Sequence, residues 1–355
     1  MRNLCNPGDT PGFRPSPSRK TQWAFPGAEK FHPELSAHFG IGHYPSPDEW
    51  FYEVKANTLL AFFGYNESFD GLDRVNNFKA ELTAFVDHTL SLAYNGRSAP
   101  RLILVTPIAF EDRSDAFDLP KGEEENRRLA AYANAVLEVA REKGVGSVDL
   151  FTPTLQWFSS GGPKLTINGC HLNDAGYARL APFLLEKIYG PGAAVSATDP
   201  HAIRAAVEDK DWFWFNDYRM LNGVHVYGQR YKPFGNVNYP EEIQKMRQMT
   251  RLRDVRLWNM ASGKTTASAT LPPVPDDKTR PLTPIESNFK KPIEYLGREK
   301  ALEKFTMREG YKIELFASEA EFPDLKSPVQ MSFDNRGRLW VSVIPSYPHY
   351  KPGDE

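Results

Sequence analysis

The first half of the sequence predicts an α/β fold, a parallel sheet sandwiched between helices. Three short apolar runs carry the strands: residues 58–64 (TLLAFFG), 101–107 (RLILVTP) and 145–151 (VGSVDLF). The first two are continuously hydrophobic, as strands covered on both faces are. Between and after these runs, apolar residues recur at spacings of three and four, the pattern of helices with one buried side.

Taken in order, residues 1–5 (MRNLC) resemble the tail of a strand that runs into the turn residues Asn6, Pro7, Gly8 and Asp9. Residues 11–50 are rich in proline, glycine and aromatics without a period, which predicts a long ordered loop, with a short helix at 47–55. A helix follows at about 73–92, with Val75, Phe78, Leu82, Phe85, Val86 and Leu90 inward. Another at about 124–143 turns Leu129, Tyr132, Val136, Val139 and Ala140 to the core. The last, 177–188, places Tyr177, Leu180, Leu184, Leu185 and Ile188 inside, and Pro182 within it should kink it. Asn173 and Asp174 ahead of it read as its cap.

Composition narrows the function. A chain of 355 residues has room for two domains, and 41% hydrophobic with 25% charged residues is ordinary for a globular protein. A net charge of -2 provides no basic field for a phosphate backbone, so nucleic acid is a poor partner. No apolar run approaches the roughly 18 residues of a membrane span, and no export signal opens the chain. Cys5 and Cys170 can make neither a disulfide framework nor a metal site by themselves, and two free thiols are favoured over a single bridge. High aromatic and proline content suits ordered loops and surfaces that hold sugars or partners.

Beyond the α/β region, taken as residues 1–192, the character changes. Residues 193–260 form an aromatic and then helical extension, expected to pack on the first domain. A sharper alternative makes it a wall of a substrate cleft, with aromatic faces for sugar rings and Arg219 and Arg230 for anions. Residues 261–298 read as a linker with little fixed structure. Residues 299–355 start something new, with strand-like KIELFAS and RLWVSVI and a turn at Asp334, Asn335 and Gly337. Two or three strands are too few to stand alone, so this end is expected to be cut off.

Active sites of open parallel sheets collect at the carboxyl ends of the strands. Gly8, residues 64–66 and the turn before His171 all fall on that edge. A lone loop histidine is ordinarily a surface residue; three stretches converging on one rim give this one weight. GDT at 8–10, GYNE at 64–67 and NGCHLNDAGY at 168–177 resemble the second, third and fifth blocks of the SGNH (GDSL-like) hydrolases, esterases and carbohydrate deacetylases. The resemblance implies a three-layer flavodoxin-like sheet over roughly residues 1–190, with Gly8 and Asn66 as oxyanion-hole donors. His171 would then be the general base that takes a serine proton and returns it to the leaving group. It also implies a small-molecule or polysaccharide ester as substrate, plausibly an acetyl ester of carbohydrate.

Two departures stand out. The family pattern has Asp three residues before the histidine, where this sequence has Asn168, which can orient the ring without stabilising an imidazolium; Asp174 or Glu67 could partly compensate. The nucleophilic serine of the first block has no counterpart, and neither Thr10 nor Ser68 stands where it is needed. The expected sheet therefore lacks its first strand, between residues 2–5 and 58–64, and the chain is expected to be an internal piece, or wrongly started, and inactive alone. Residues 305–348 resemble the opening of the β-propeller dehydrogenase-like domain of large planctomycete-type proteins, which often precedes a c-type haem domain. Haem or quinone binding and export to the periplasm or beyond are thereby expectations for a parent protein only; no cofactor is expected in this chain. Two other readings remain: a degenerate, non-catalytic carbohydrate-binding domain, and a scaffold joining modules of a redox protein, with no cleft around His171. A metal enzyme is disfavoured, since His171 has no partners at ligand spacing.

Overall fold

The apolar runs form the parallel sheet, and the degree to which each is covered sets where a site can lie. The computed structural model describes residues 1–15, 21–34, 45–116, 118–192, 199–219, 239–265, 271–283 and 296–344. A small antiparallel pair, β1 (Phe13–Pro15) and β2 (Thr21–Trp23), comes first, within the stretch expected to be loop. Next come α1 (Pro47–Glu53), β3 (Thr58–Phe62), α2 (Val75–Leu90), β4 (Arg101–Val105), α3 (Glu123–Lys143), β5 (Gly146–Val148), α4 (Phe151–Ser159) and α5 (Asp174–Tyr189). Helices α6 (Pro200–Tyr218) and α7 (Tyr239–Ala261) complete a first compact unit, Met1–Pro284. The second unit, Ile285–Glu355, contains α8 (Arg298–Leu302) and the antiparallel pair β6 (Pro328–Phe333) and β7 (Leu339–Val343).

The sheet has order β3-β4-β5, all parallel. Alternate residues face opposite ways. Leu59, Ala61, Leu102 and Leu104 pack on Phe78, Leu82 and Val86 of α2 and on Tyr132, Val136 and Val139 of α3. On the other face Ile103, Val105 and Val148 meet Leu180, Phe183, Leu184 and Ile188 of α5. The result is three layers, helix, sheet, helix. Only β4 is buried on both faces; β3 lies at the edge, and Phe62 at its end is 43% exposed.

Several expectations are corrected. Residues 1–5 are not a strand: carbonyls of this segment are taken by side chains of α6. Lys210 Nζ donates to Met1 O (3.0 Å), Trp214 Nε1 to Asn3 O (2.9 Å) and Tyr218 Oη to Leu4 O (2.5 Å). Those three residues stand four apart, so one face of α6 supplies the hydrogen bonds a sheet neighbour would have given. The expected pair of strands flanking a gap is therefore not observed among the described residues. The run 145–151 yields only a three-residue strand, because the Thr106 hydroxyl accepts the amides of Leu150 (2.8 Å) and Phe151 (3.0 Å) and starts α4 there. Tyr177, expected inside, is 60% exposed, and α5 begins three residues earlier, at Asp174. Residues 312–318 form no strand.

Helix α6 packs along α7 and stacks its aromatics on α1: Trp214 and Tyr218 meet Trp50 edge-on at 5.7 and 5.1 Å. Arg219, a candidate anion holder, instead donates to Cys5 O and lies over Phe215; Arg230 lies outside the described residues. Part of the expected linker is docked: Arg253 of α7 makes a two-pronged ion pair with Asp276 (2.8 and 2.8 Å), and Lys245 reaches Thr279 Oγ1 (2.8 Å).

Candidate active site

The loop carrying His171 is built on a buried carboxylate. Glu111, 2% exposed, accepts the amides of Leu165 (3.0 and 3.1 Å) and Thr166 (2.8 Å) and the Thr166 hydroxyl (2.6 Å). Thr166 Oγ1 in turn accepts Gly169 N (3.0 Å), and Gly169 O accepts Glu111 N (2.8 Å). Gly169 has φ +90°, and a Cβ there would sit 2.4 Å from the Phe110 ring, so the Asn-Gly turn needs its glycine twice over. Asn173 closes the loop as N-cap of α5, accepting Gly176 N at 2.9 Å.

Within this turn the His171 ring is exposed, with Nδ1 3.0 Å from Asn168 Oδ1. An amide oxygen only accepts, so this contact assigns the proton to Nδ1 and leaves Nε2 as the basic nitrogen. Asn168 Oδ1 is also the acceptor for His171 N (3.1 Å) and for the Cys170 thiol (3.4 Å). Cys170 Sγ lies 3.1 Å from Nδ1, a second acceptor beside the ring. Burial pushes the Cys170 thiol up, and a hydrogen bond from Tyr65 acts the other way.

Tyr65, in the turn after β3, neighbours Cys170 of the His171 loop. Its hydroxyl is driven well above the usual phenol range, first by burial and then by the neighbouring Cys170. The next residue, Asn66, donates from Nδ2 to Asp9 O at 3.1 Å, which ties this turn to the one carrying Gly8. That bond uses one of two amide hydrogens and leaves the other for a ligand. Gly8 has φ +80° in a turn closed by Asp9 N to Asn6 O (3.2 Å), and no acceptor among the described residues takes its N–H.

Asn66 thus bridges the Gly8 turn and the turn after β3, Asn168 holds His171 within its own loop, and among the described residues no hydrogen bond joins His171 to Asn66 or Gly8. Among the described residues Ser68, Thr10, Glu67 and Asp174 make no hydrogen bond to His171. Ser68 is buried and donates to Tyr65 O (2.7 Å); Thr10 donates to Glu81 (3.0 Å), which also holds Gly12 N (2.6 Å) and His32 Nε2 (2.9 Å). Glu67 is turned inward, 6% exposed, with one oxygen on Gly64 N (2.8 Å) and the other unpartnered; burial pushes its carboxyl up to about 8. Asp174 is exposed in the first turn of α5. Among the described residues neither carboxylate bonds to His171. Sequence reasoning missed Glu111, whose role depends on partners distant in the chain. Among the described residues no group of three metal-ligating side chains occurs.

Residues 297–355 match a family described as "Domain of unknown function (DUF7133)". No curated protein matches the chain. Among solved structures it is similar to an acetylxylan esterase, Axe2, from Geobacillus stearothermophilus (21% identity, 41% of this chain and 64% of that one, TM-score 0.32). It is also similar to a lipase/acylhydrolase from Enterococcus faecalis (21%, 39% and 64%, TM-score 0.29) and to an aryl esterase from M. smegmatis (14%, 42% and 72%, TM-score 0.30). The chain thus spans less than two thirds of the length of the acetylxylan esterase. The class shown is an α/β protein with a parallel sheet, and that assignment rests on the sheet itself.

Proposed function

We propose that residues 1–192 are an ester-hydrolase module of SGNH type whose base and oxyanion groups are in this chain, and that no hydroxyl beside them serves as nucleophile. The observation that supports it most is the Asn168–His171 hydrogen bond, which leaves Nε2 basic, with Asn66 tied separately to the Gly8 turn through Asp9 O. In such a site Nε2 takes the proton of an attacking hydroxyl. The Gly8 N–H and the second Asn66 hydrogen receive the negative oxygen of the tetrahedral intermediate; losing one such donor typically costs about 10² to 10³ in rate. Acetyl esters of carbohydrate are the substrate class the motif resemblance suggests. On the same resemblance, residues 299–355 open a propeller in a parent protein that is exported and binds haem or quinone.

With Ser68 buried and Thr10 held by Glu81, neither of these hydroxyls is placed to act as a nucleophile, and the chain is expected to turn over no ester by a serine-type route. A fluorophosphonate probe followed by intact-mass measurement tests this: no adduct is expected, and an adduct on Ser68 or Thr10 that depends on His171 overturns it. Asn168 favours a second reading, a degenerate carbohydrate-binding module, because its neutral oxygen is shared among loop donors and stabilises no imidazolium. Titration with an acetylated xylooligosaccharide separates the two: saturable binding unchanged in Asn66→Ala and His171→Ala supports the binder, and binding lost in both supports the hydrolase-type site.

A further inference from the structure

The Gly8 turn is held from outside the sheet, and one side chain does most of the holding. Arg14 Nε donates to Asp9 Oδ1 (3.1 Å) and Nη2 to Asp9 Oδ2 (2.7 Å), a two-pronged ion pair with side chains only 12% and 15% exposed. The same guanidinium reaches Leu4 O (2.8 Å) and, through Nη1, Tyr218 Oη on α6 (2.9 Å). Asp9 uses its Oδ2 again to accept Asn6 N (3.0 Å), so its carboxylate closes the turn in which Gly8 sits. Asp9 O is the atom that Asn66 Nδ2 meets at 3.1 Å.

We propose that Arg14 is a positioning residue that transmits the placement of α6 to the oxyanion donors Gly8 and Asn66. The inference rests on the proposed roles of those two amides. It gives the aromatic extension a task, since Tyr218 is fixed by stacking on Trp214 (5.5 Å) and by the edge of Trp50, and thereby fixes one prong of the guanidinium. A planar fork suits this post: five N–H donors in fixed directions satisfy a carboxylate, a carbonyl and a phenol together, which an ammonium on a flexible stem does not. Preorganised donors are worth most when nothing has to move during the reaction, so a support outside the substrate pocket can matter as much as the donors themselves.

The test uses the full chain and reads the turn directly, without ester turnover, so it stands or falls separately from the proposed hydrolase. Amide hydrogen exchange at residues 6–10 and the Asn66 side-chain amide resonances are compared in Arg14→Ala, Arg14→Lys, Tyr218→Phe and Asp254→Asn. The last is a control that cuts the Arg2–Asp254 bridge of the same segment and leaves Arg14 intact. Expected are at least tenfold faster exchange at residues 6–10 and shifted Asn66 amide signals in Arg14→Ala. Arg14→Lys should give only partial recovery, Tyr218→Phe a smaller effect of the same kind, and Asp254→Asn no change at Asn66. Added guanidinium ion at millimolar concentration should restore Arg14→Ala toward the native signals. Unchanged Asn66 signals in Arg14→Ala overturn the proposal, as does exchange that rises equally in β4 and in the turn, the sign of a merely structural loss.

Discussion

Asn168 gives His171 an acceptor without a charge. In serine proteases the corresponding Asp-to-Asn change costs about 10⁴ in kcat. Here the same oxygen also organises the loop, holding the His171 amide, so Asn168→Ala is expected to loosen the turn as well as free the ring. Amide exchange at residues 169–171 should rise in that variant while β4 stays protected; unchanged exchange at His171 would show that the amide bond does not hold the loop. Glu67 makes stability depend on pH. Its carboxyl is raised to about 8 by burial, so the folded protein binds a proton that the unfolded chain gives up near pH 4. Stability due to this group is therefore highest below the unfolded pKa and falls as pH rises toward 8, with a slope of at most about 1.4 kcal/mol per pH unit. His32, raised chiefly by its hydrogen bond to Glu81, acts in the same direction, its contribution lost as pH rises through the folded pKa. Urea midpoints measured from pH 5 to 8 should show a shallower decline in Glu67→Gln than in the native chain, and an equal decline would contradict the assignment. His171, Asn168 and the Asn173 cap were legible in the sequence because their partners lie within a few residues. Glu111 was not, because it acts on segments far away in the chain.

At the scale of elements, periodicity located α2 and α3 and their buried faces well, because one clean stripe of each meets the sheet. It failed where a tertiary contact decided the outcome. Residues 1–5 have a strand's composition, yet side-chain donors on α6 take their carbonyls, and residues 149–151 leave the sheet for α4 because Thr106 caps them. Tyr177 fits the helical stripe but lies in the first turn, ahead of the part of α5 that reaches the sheet. One glycine in α5 carries a sign that sequence rules would reverse. Replacing a helical glycine by alanine ordinarily stabilises by up to about 1 kcal/mol, but a Cβ on Gly176 would meet Leu165 O at 2.2 Å and Leu172 Cδ2 at 2.9 Å. Gly176→Ala is therefore expected to destabilise, read as a lowered Tm and faster exchange in the His171 loop; a raised Tm would show that the loop gives way. Leu104→Ala, in the strand covered on both faces, should cost about 2 to 5 kcal/mol in urea unfolding, and a loss under 1 kcal/mol would contradict the placement of the core.

The whole chain divides into two units, and the residues proposed as a site lie in the first. Met1–Pro284 holds the three-layer core, the helical pair and the rim, whereas the β6–β7 pair in Ile285–Glu355 leaves Met331, Phe333 and Trp340 largely exposed. A two-stranded pair is marginal by itself, so its amides are expected to exchange orders of magnitude faster than those of β4; equal protection would contradict that. The sheet class was legible from alternating strands and helices, while the place of Gly8 was not, because no strand at residues 1–5 leads into its turn; the contact of the aromatic extension with that turn required seeing Tyr218 beside Arg14. The central claim is that no described hydroxyl stands beside the proposed base and oxyanion residues His171, Asn66 and Gly8 as a nucleophile, since Ser68 is buried and Thr10 is held by Glu81. Steady-state hydrolysis of p-nitrophenyl acetate by the native chain and by His171→Ala tests it most directly. The account predicts the same slow rate for both, within about twofold; turnover by the native chain that vanishes in His171→Ala and is blocked by a serine-directed inhibitor would contradict it.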